Sequence, residues 1–224
     1  GMSYPEDVVI PALARDLNRP VKWIEDRREH FLTTTQERDQ IWDVSIAADD
    51  DGKILGLRGR LAHDAGAYVP WGIITPYIST TTIAGPYVVP TFKFDTTVIF
   101  TNKPPTTPLR GAGRPQAVFA MERTLDLVAG MLNLDIAEIR RRNLIPAKAM
   151  PYQMGLIFRD GAPVVYDSGD YPLCQTMALE GCDYSRFSAR QKLARAEGRY
   201  IGIGIANAVE GTGLGPFEGA TIKV

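Results

Sequence analysis

Two periods organise the chain. Between residues 41 and 48, Trp42, Val44 and Ile46 alternate with Asp43 and Ser45. Alternation at period two marks a strand with one face buried. Asp49-Asp50-Asp51-Gly52-Lys53 supplies a turn, after which Leu55, Leu57 and Leu61 alternate with Arg58 and Arg60. The pair therefore predicts a β-hairpin. Phe92 to Phe100 alternates again and predicts another strand, ended before Pro104-Pro105. Val21 to Ile24, just after Arg19-Pro20, reads as the start of a further one.

The second period is helical. Val8, Val9, Ala12, Leu13 and Leu17 fall on one stripe, so residues 4–18 predict an amphipathic helix opened by the capping-box pattern Ser3-Tyr4-Pro5-Glu6. Residues 116–132 give the strongest helix, with Val118, Met121, Leu125, Val128 and Leu132 as its buried face. Asp135 caps another that runs to about Asn143, and two more are expected over 171–181 and 185–197, the last stopped by Gly198. Ile201 to Ile205 and Phe217 to Val224 read as two strands of a new sheet. Residues 66–90, rich in Gly, Pro, Thr and aromatics with few charges, read as a buried irregular loop or a partner-facing surface. Residues 146–170 read as a long connection. Hairpins and helices without strict β-α-β alternation imply an α+β fold. It divides into a unit at 1–146, a connector at 147–170, and the start of a second unit at 171–224.

Composition narrows the function classes. Of 224 residues, 45% are hydrophobic and 23% charged, enough for a core without disulfide or metal staples. Lys and Arg number 25 against 26 Asp and Glu, which gives no broad electrostatic footprint for nucleic acid or an anionic membrane. Arg27-Arg28 and Arg140-Arg141-Arg142 read as solvated helix faces or partner contacts. No apolar stretch is long enough to span a bilayer. Cys174 and Cys182 cannot furnish the four thiolates of an iron–sulfur cluster or zinc site and read as reduced thiols, which suits the cytoplasm. His63 reads as a hydrogen-bonded structural residue and His30 as exposed, so no metal ligands are expected.

The chemistry concentrates in Pro108-Leu109-Arg110-Gly111-Ala112-Gly113-Arg114-Pro115-Gln116, between a strand and the strongest helix. Pro115 suits the first helical position, where its missing N–H is not needed. Orphan N–H groups and the positive end of the helix dipole favour an anion there. Gly111 and Gly113 open positive φ, and Arg110 and Arg114 match phosphate, carboxylate or oxo-anion oxygens. By itself the pattern is a weak signal and fits a tight turn with solvated arginines better than an anion site. It lacks the third glycine of a dinucleotide loop and is not a P-loop.

Five ordered segments carry a resemblance over essentially the whole chain. They are Pro20 to Glu29, Arg110 to Gln116, Ile139 to Leu144, Tyr166 to Tyr171, and Glu210-Gly211-Thr212-Gly213. Together they resemble the molybdenum-cofactor-binding large subunit of the xanthine dehydrogenase/aldehyde oxidase family, in its aerobic carbon monoxide dehydrogenase branch. The resemblance implies oxidative hydroxylation with water-derived oxygen and a molybdopterin cofactor, expected as its cytosine dinucleotide. It also implies partner iron–sulfur and FAD subunits. Arg110, Gly111, Ala112, Gly113 and Arg114 would contact the cofactor, and Arg110 would be the catalytic residue. Gly111 stands where the carbon monoxide oxidisers carry a copper-binding cysteine, and Ala112 where purine oxidisers carry a phenylalanine. An aldehyde or N-heteroaromatic substrate remains.

The family's other site elements, two glycine-rich loops and a general-base glutamate, have no counterpart in these residues. Glu210 is expected to be solvated and Glu122 to sit in a surface ion pair. The chain is therefore expected to be an internal segment, inactive alone. The alternative is a non-catalytic remnant or a partner-binding domain. Apolar surface at 66–90 and 201–224 is expected to cause self-association.

Overall fold

The computed structural model describes residues 4–68, 71–158, 160–211 and 219–223. The hairpin forms as its alternation dictates: β1 (Gln40–Ala48) pairs antiparallel with β2 (Ile54–Gly66). On the other side of β2 lies β3 (Phe92–Phe100), parallel to it, in the order β1-β2-β3. A parallel step needs a crossover connection. That crossover carries helix α3 (Ile74–Thr82), inside the stretch expected to be irregular. Its buried positions are Thr75, Pro76, Ile78 and Ser79, which is why no apolar period marks it. The Ser79, Thr80, Thr81 and Thr82 hydroxyls instead donate to carbonyls one turn back, to Thr75, Pro76, Tyr77 and Ile78.

Helix α4 (Arg114–Leu132) covers one face of this sheet. Ala117, Ala120, Met121, Leu125 and Ala129 meet Ile54, Leu57, Ile83 and Tyr87, with Trp42, Val44, Phe92 and Phe94 packed at the margin. Each fully buried large side chain contributes roughly 1.5–3 kcal/mol. The stripe sits closer to the alanines than the apolar pattern predicts, leaving Val118, Val128 and Leu132 only half-buried. The alanines let the backbone approach the sheet.

Helix α5 (Ile136–Asn143) starts where Asp135 accepts from the N–H groups of Ala137 and Glu138. Its arginines correct an expectation. Arg140 is fully buried, while Arg141 and Arg142 pair with Glu138. Glu122 is corrected with it, from surface to core, because Arg140 reaches it from the neighbouring helix.

The remainder is partly as expected. α1 (Glu6–Leu17) forms, but none of its residues is buried: amphipathicity creates a face, and covering it takes a neighbour. Ser3 of the expected cap lies outside the described residues. Val21 to Ile24 forms no strand among the described residues and leads into α2 (Arg27–Thr33), capped reciprocally by Asp26 and Glu29. His30 is half-buried, its Nδ1 2.7 Å from Glu25. The expected plain connector contains the antiparallel hairpin of β4 (Tyr152–Ile157) and β5 (Pro163–Tyr166). Helices α6 (Tyr171–Gly181) and α7 (Phe187–Ala196) follow where expected. Residues 201–205 alternate in burial but have no ladder partner among the described residues, so they are not a strand. Residues 219–223 form none either, and Phe217 lies outside the described residues.

Candidate functional site

The segment 108–116 crosses from the sheet to the start of α4. Gly111, Ala112 and Gly113 all adopt positive φ, at 100°, 47° and 93°. Three successive left-handed residues are costly for anything but glycine, and Ala112 carries that strain. The turn closes on itself: Ala112 N–H donates to the Leu109 carbonyl at 2.7 Å and Arg114 N–H to that of Gly111 at 3.1 Å. Gly113 is the N-cap of α4, and its carbonyl accepts from Ala117 N–H and from the Ser79 hydroxyl. Helix α4 therefore begins two residues earlier than its apolar pattern predicts, with Pro115 in its first turn.

Both glycines are demanded by the protein's own packing. A Cβ on Gly113 would stand 2.4 Å from the Thr75 carbonyl oxygen and 2.5 Å from Ser79 Oγ. One on Gly111 would stand 2.8 Å from the Pro115 ring. The loop is thus pressed onto α3, the helix that the sequence concealed.

The two arginines enter different surroundings. Arg110 is exposed, and its guanidinium has no hydrogen bond or ion pair among the described residues. Arg114 turns inward, with its side chain 16% exposed. It reaches the Gly111 carbonyl and Glu210, each at 3.4 Å, and lies over the Phe158 ring at 5.9 Å. This guanidinium borders a cavity of about 400 Å³ shared with Tyr166, Tyr171 and Glu210. Burial pushes the Tyr166 hydroxyl above the usual phenol range, so it stays a neutral donor, bonded to the Gly85 carbonyl. Thr212 and Gly213 of the expected Glu-Gly-Thr-Gly motif lie outside the described residues.

A second groove, of about 600 Å³, runs between β1 and α4. Arg38, Gln40, Trp42, Gln116 and Phe119 line it. The Gln116 amide is enclosed without a hydrogen-bond partner among the described residues. Behind the loop stands Glu37, whose side chain is 3% exposed. Burial pushes its carboxyl upward, against the N–H groups of Leu109 and Gly113 and the Arg38 guanidinium. Sequence reasoning passed over Glu37 and Arg38, because Gln36-Glu37-Arg38-Asp39 carries the polar signature of a solvated segment.

His63 is buried as a structural residue. Gln40 Nε2 lies 3.3 Å from Nδ1, and Nε2 lies 3.2 Å from Thr106 Oγ1. Burial lowers its pKa, which keeps the ring neutral. Among the described residues no cluster of His, Cys, Asp or Glu is suited to a metal ion.

An exposed, unpaired guanidinium beside a left-handed turn at a helix start fits an anionic, phosphate-bearing group. Residues 1–144 match the model of the molybdopterin cofactor-binding domain. The chain belongs to that family. The chain is 37% identical to the 6-hydroxypseudooxynicotine dehydrogenase complex subunit gamma of Paenarthrobacter nicotinovorans, over 100% of its own residues and 28% of the relative's. It is 36% identical to the carbon monoxide dehydrogenase large chain of Hydrogenophaga pseudoflava, over 96% and 27%. Among solved structures, quinoline 2-oxidoreductase of Pseudomonas putida 86 superposes with a TM-score of 0.76 at 34% identity, over 87% of this chain and 24% of that one. The chain therefore spans about a quarter of these relatives' length. Among its described residues no helix is long and apolar enough to cross a membrane.

Proposed function

We propose that this chain is one wall of the active site in the large subunit of a molybdenum hydroxylase acting on an N-heteroaromatic ring. The observation that carries this reading is the strained Gly111-Ala112-Gly113 turn at the start of α4, with the Arg110 guanidinium exposed beside it. Arg110 and the Gly111 N–H have no acceptor among the described residues and are the groups offered to the cofactor, with Ala112 between them and Gly113 anchoring the turn. Arg114 holds the turn from behind through the Gly111 carbonyl. When bound, the molybdenum–pterin group, taken here as its cytosine dinucleotide, supplies two-electron oxidation with oxygen from water. The chain's share is placement: the Arg110 cation limits where negative charge can settle, and the left-handed turn keeps the approach short.

Several relatives are named for pyridine- or quinoline-type substrates, among them nicotine 6-hydroxylase, 32% identical. This favours a heteroaromatic ring over an aldehyde. Gly111 has no side chain with which to bind copper, and Ala112 offers no aromatic face to a purine. Electrons would leave through iron–sulfur and FAD subunits in the cytoplasm. The 1–146 and 171–224 stretches are proposed as successive units joined by the 147–170 connector.

The test is expression of the full-length subunit with its partners, assayed on pyridine and quinoline compounds in ¹⁸O-water. Label in the hydroxylated product, with no turnover of carbon monoxide or xanthine, is the expected result. Removing the exposed cation by R110A should lower turnover about 100-fold, the scale of one lost electrostatic contact to developing charge. Full activity in R110A, or label drawn from dioxygen, would refute the assignment. The purified 224-residue chain should hold no stoichiometric molybdenum or pterin, a result read directly by metal analysis.

A further inference from the structure

Resting on that reading of the loop, we infer that Glu37 and Arg38 form a two-residue brace that positions Arg110 and the left-handed turn for the cofactor. Arg38 is itself strained, with φ at +81°. A bulky residue adopts that conformation only where its surroundings over-determine it, and such residues gather at functional sites. Here the strained backbone lets one guanidinium serve two partners. Arg38 Nε stands 3.1 Å from Glu37 Oε2, and Arg38 Nη2 donates to the Arg110 carbonyl at 3.2 Å.

The Glu37 carboxylate is enclosed behind the same loop, facing the N–H groups of Leu109 and Gly113. Neither of its oxygens reaches a hydrogen bond of good geometry. A buried carboxylate without a full set of donors is expensive for a merely structural position. Its location explains the expense. The Gly111 N–H and the Arg110 guanidinium keep no acceptor among the described residues, whereas the Leu109 and Gly113 amides of the same loop face the Glu37 carboxylate. The carboxylate presents its negative charge to those two amides, and Arg38 ties it to the Arg110 backbone. Both are positioning residues, since neither offers an atom to the substrate.

The experiment compares three variants of the full-length subunit in its complex: E37Q, E122Q and R110A. Molybdenum and pterin per subunit, the Mo(V) electron paramagnetic resonance signal, and the melting temperature are measured for each. E37Q preserves volume and removes the charge that holds Arg38. It should lower bound molybdenum and pterin about ten-fold, the scale seen when a group supporting a metal site is lost, and broaden the signal. E122Q breaks a buried ion pair remote from the turn and should lower the melting temperature at least as far while keeping the cofactor. Native cofactor content and signal in E37Q overturn the brace. Cofactor loss that merely tracks melting temperature across E37Q and E122Q overturns it as well. An R110A variant with native cofactor content, signal and turnover defeats the loop reading itself, and the brace with it. An impaired R110A beside a native E37Q defeats the brace alone.

Discussion

Arg140 Nε donates to Glu122 Oε2 at 2.6 Å, with the two side chains only 0% and 7% exposed. The same guanidinium donates through Nη2 to the Glu122 carbonyl at 3.0 Å and to Asp126 at 2.9 Å, and through Nη1 to the Ile136 carbonyl at 2.7 Å. Glu122 also accepts from the Tyr87 hydroxyl at 2.6 Å, and burial pushes that hydroxyl far above the usual phenol range. Asn207 donates to Tyr87 and to Gln175, whose amide donates to the Ala137 carbonyl. One polar network thus joins α4, α5, α6 and the segment after α7.

Breaking this pair from one side should be severe. R140A leaves the Glu122 charge buried and unpaired, at a cost of about 3–5 kcal/mol. Replacing both with Met should restore most of that loss. Urea unfolding of the full-length subunit measures both, and a midpoint for R140A within experimental error of wild type would show that the pair contributes nothing.

Gly113→Ala and Gly130→Ala should move stability in opposite directions. The first forces a Cβ to within 2.4 Å of the Thr75 carbonyl, at a φ of +93°. It should destabilise by about 2 kcal/mol or more. Gly130 lies inside α4 with open space where a Cβ would go, so alanine should stabilise by roughly 0.5–1 kcal/mol. Thermal melts of the two variants decide it, and equal shifts would contradict the packing described.

Asp64 sets an acid limit. Burial raises its carboxyl, but Lys103, the Thr101 hydroxyl at 2.7 Å and the Gly66 N–H at 2.8 Å more than offset this and hold it at about 2, below the ordinary 3.8. A depressed folded-state pKa stabilises fully above the unfolded value and is lost as pH falls through the folded one. The contribution, about 1–2 kcal/mol after allowing for the exposed Lys103 partner, should therefore vanish between pH 4 and 2. D64N should flatten stability across that window, as read from denaturant midpoints at several pH values.

Apolar residues on α1 and in the 66–90 stretch stand in solvent: Val8, Val9, Leu13, Leu17, Tyr68, Ile73 and Tyr77. The 224-residue chain should therefore self-associate at high concentration. Light scattering should show a mass above that of the monomer, reduced by V9K with L13K. A monomeric wild-type chain would count against adhesive surfaces at these positions.

Much of the fold was legible because local rules agreed. The hairpin, β3, α1, α4, α5, α6 and α7 all stand where period and capping place them. The failures share a cause. Helix α3 buries hydroxyls that bond back to its own carbonyls, so its inner face looks polar. Residues 201–205 alternate properly but find no partner among the described residues, and pairing is a property of two segments. At the site, the turn at 111–113 was visible from its glycines, whereas Glu37 and Arg38 were not, since a charge run looks the same whether solvated or enclosed.

The sequence by itself determined local matters: the periods, the caps, the left-handed turn, and a family resemblance set by ordered motifs. Only the tertiary structure decided which charges are buried, because Arg140 and Glu122 lie 18 residues apart and meet through the crossing of two helices. It alone also set Arg38 against Arg110, 72 residues away. Burial and long-range contact depend on how elements pack, and no single stretch of chain encodes them.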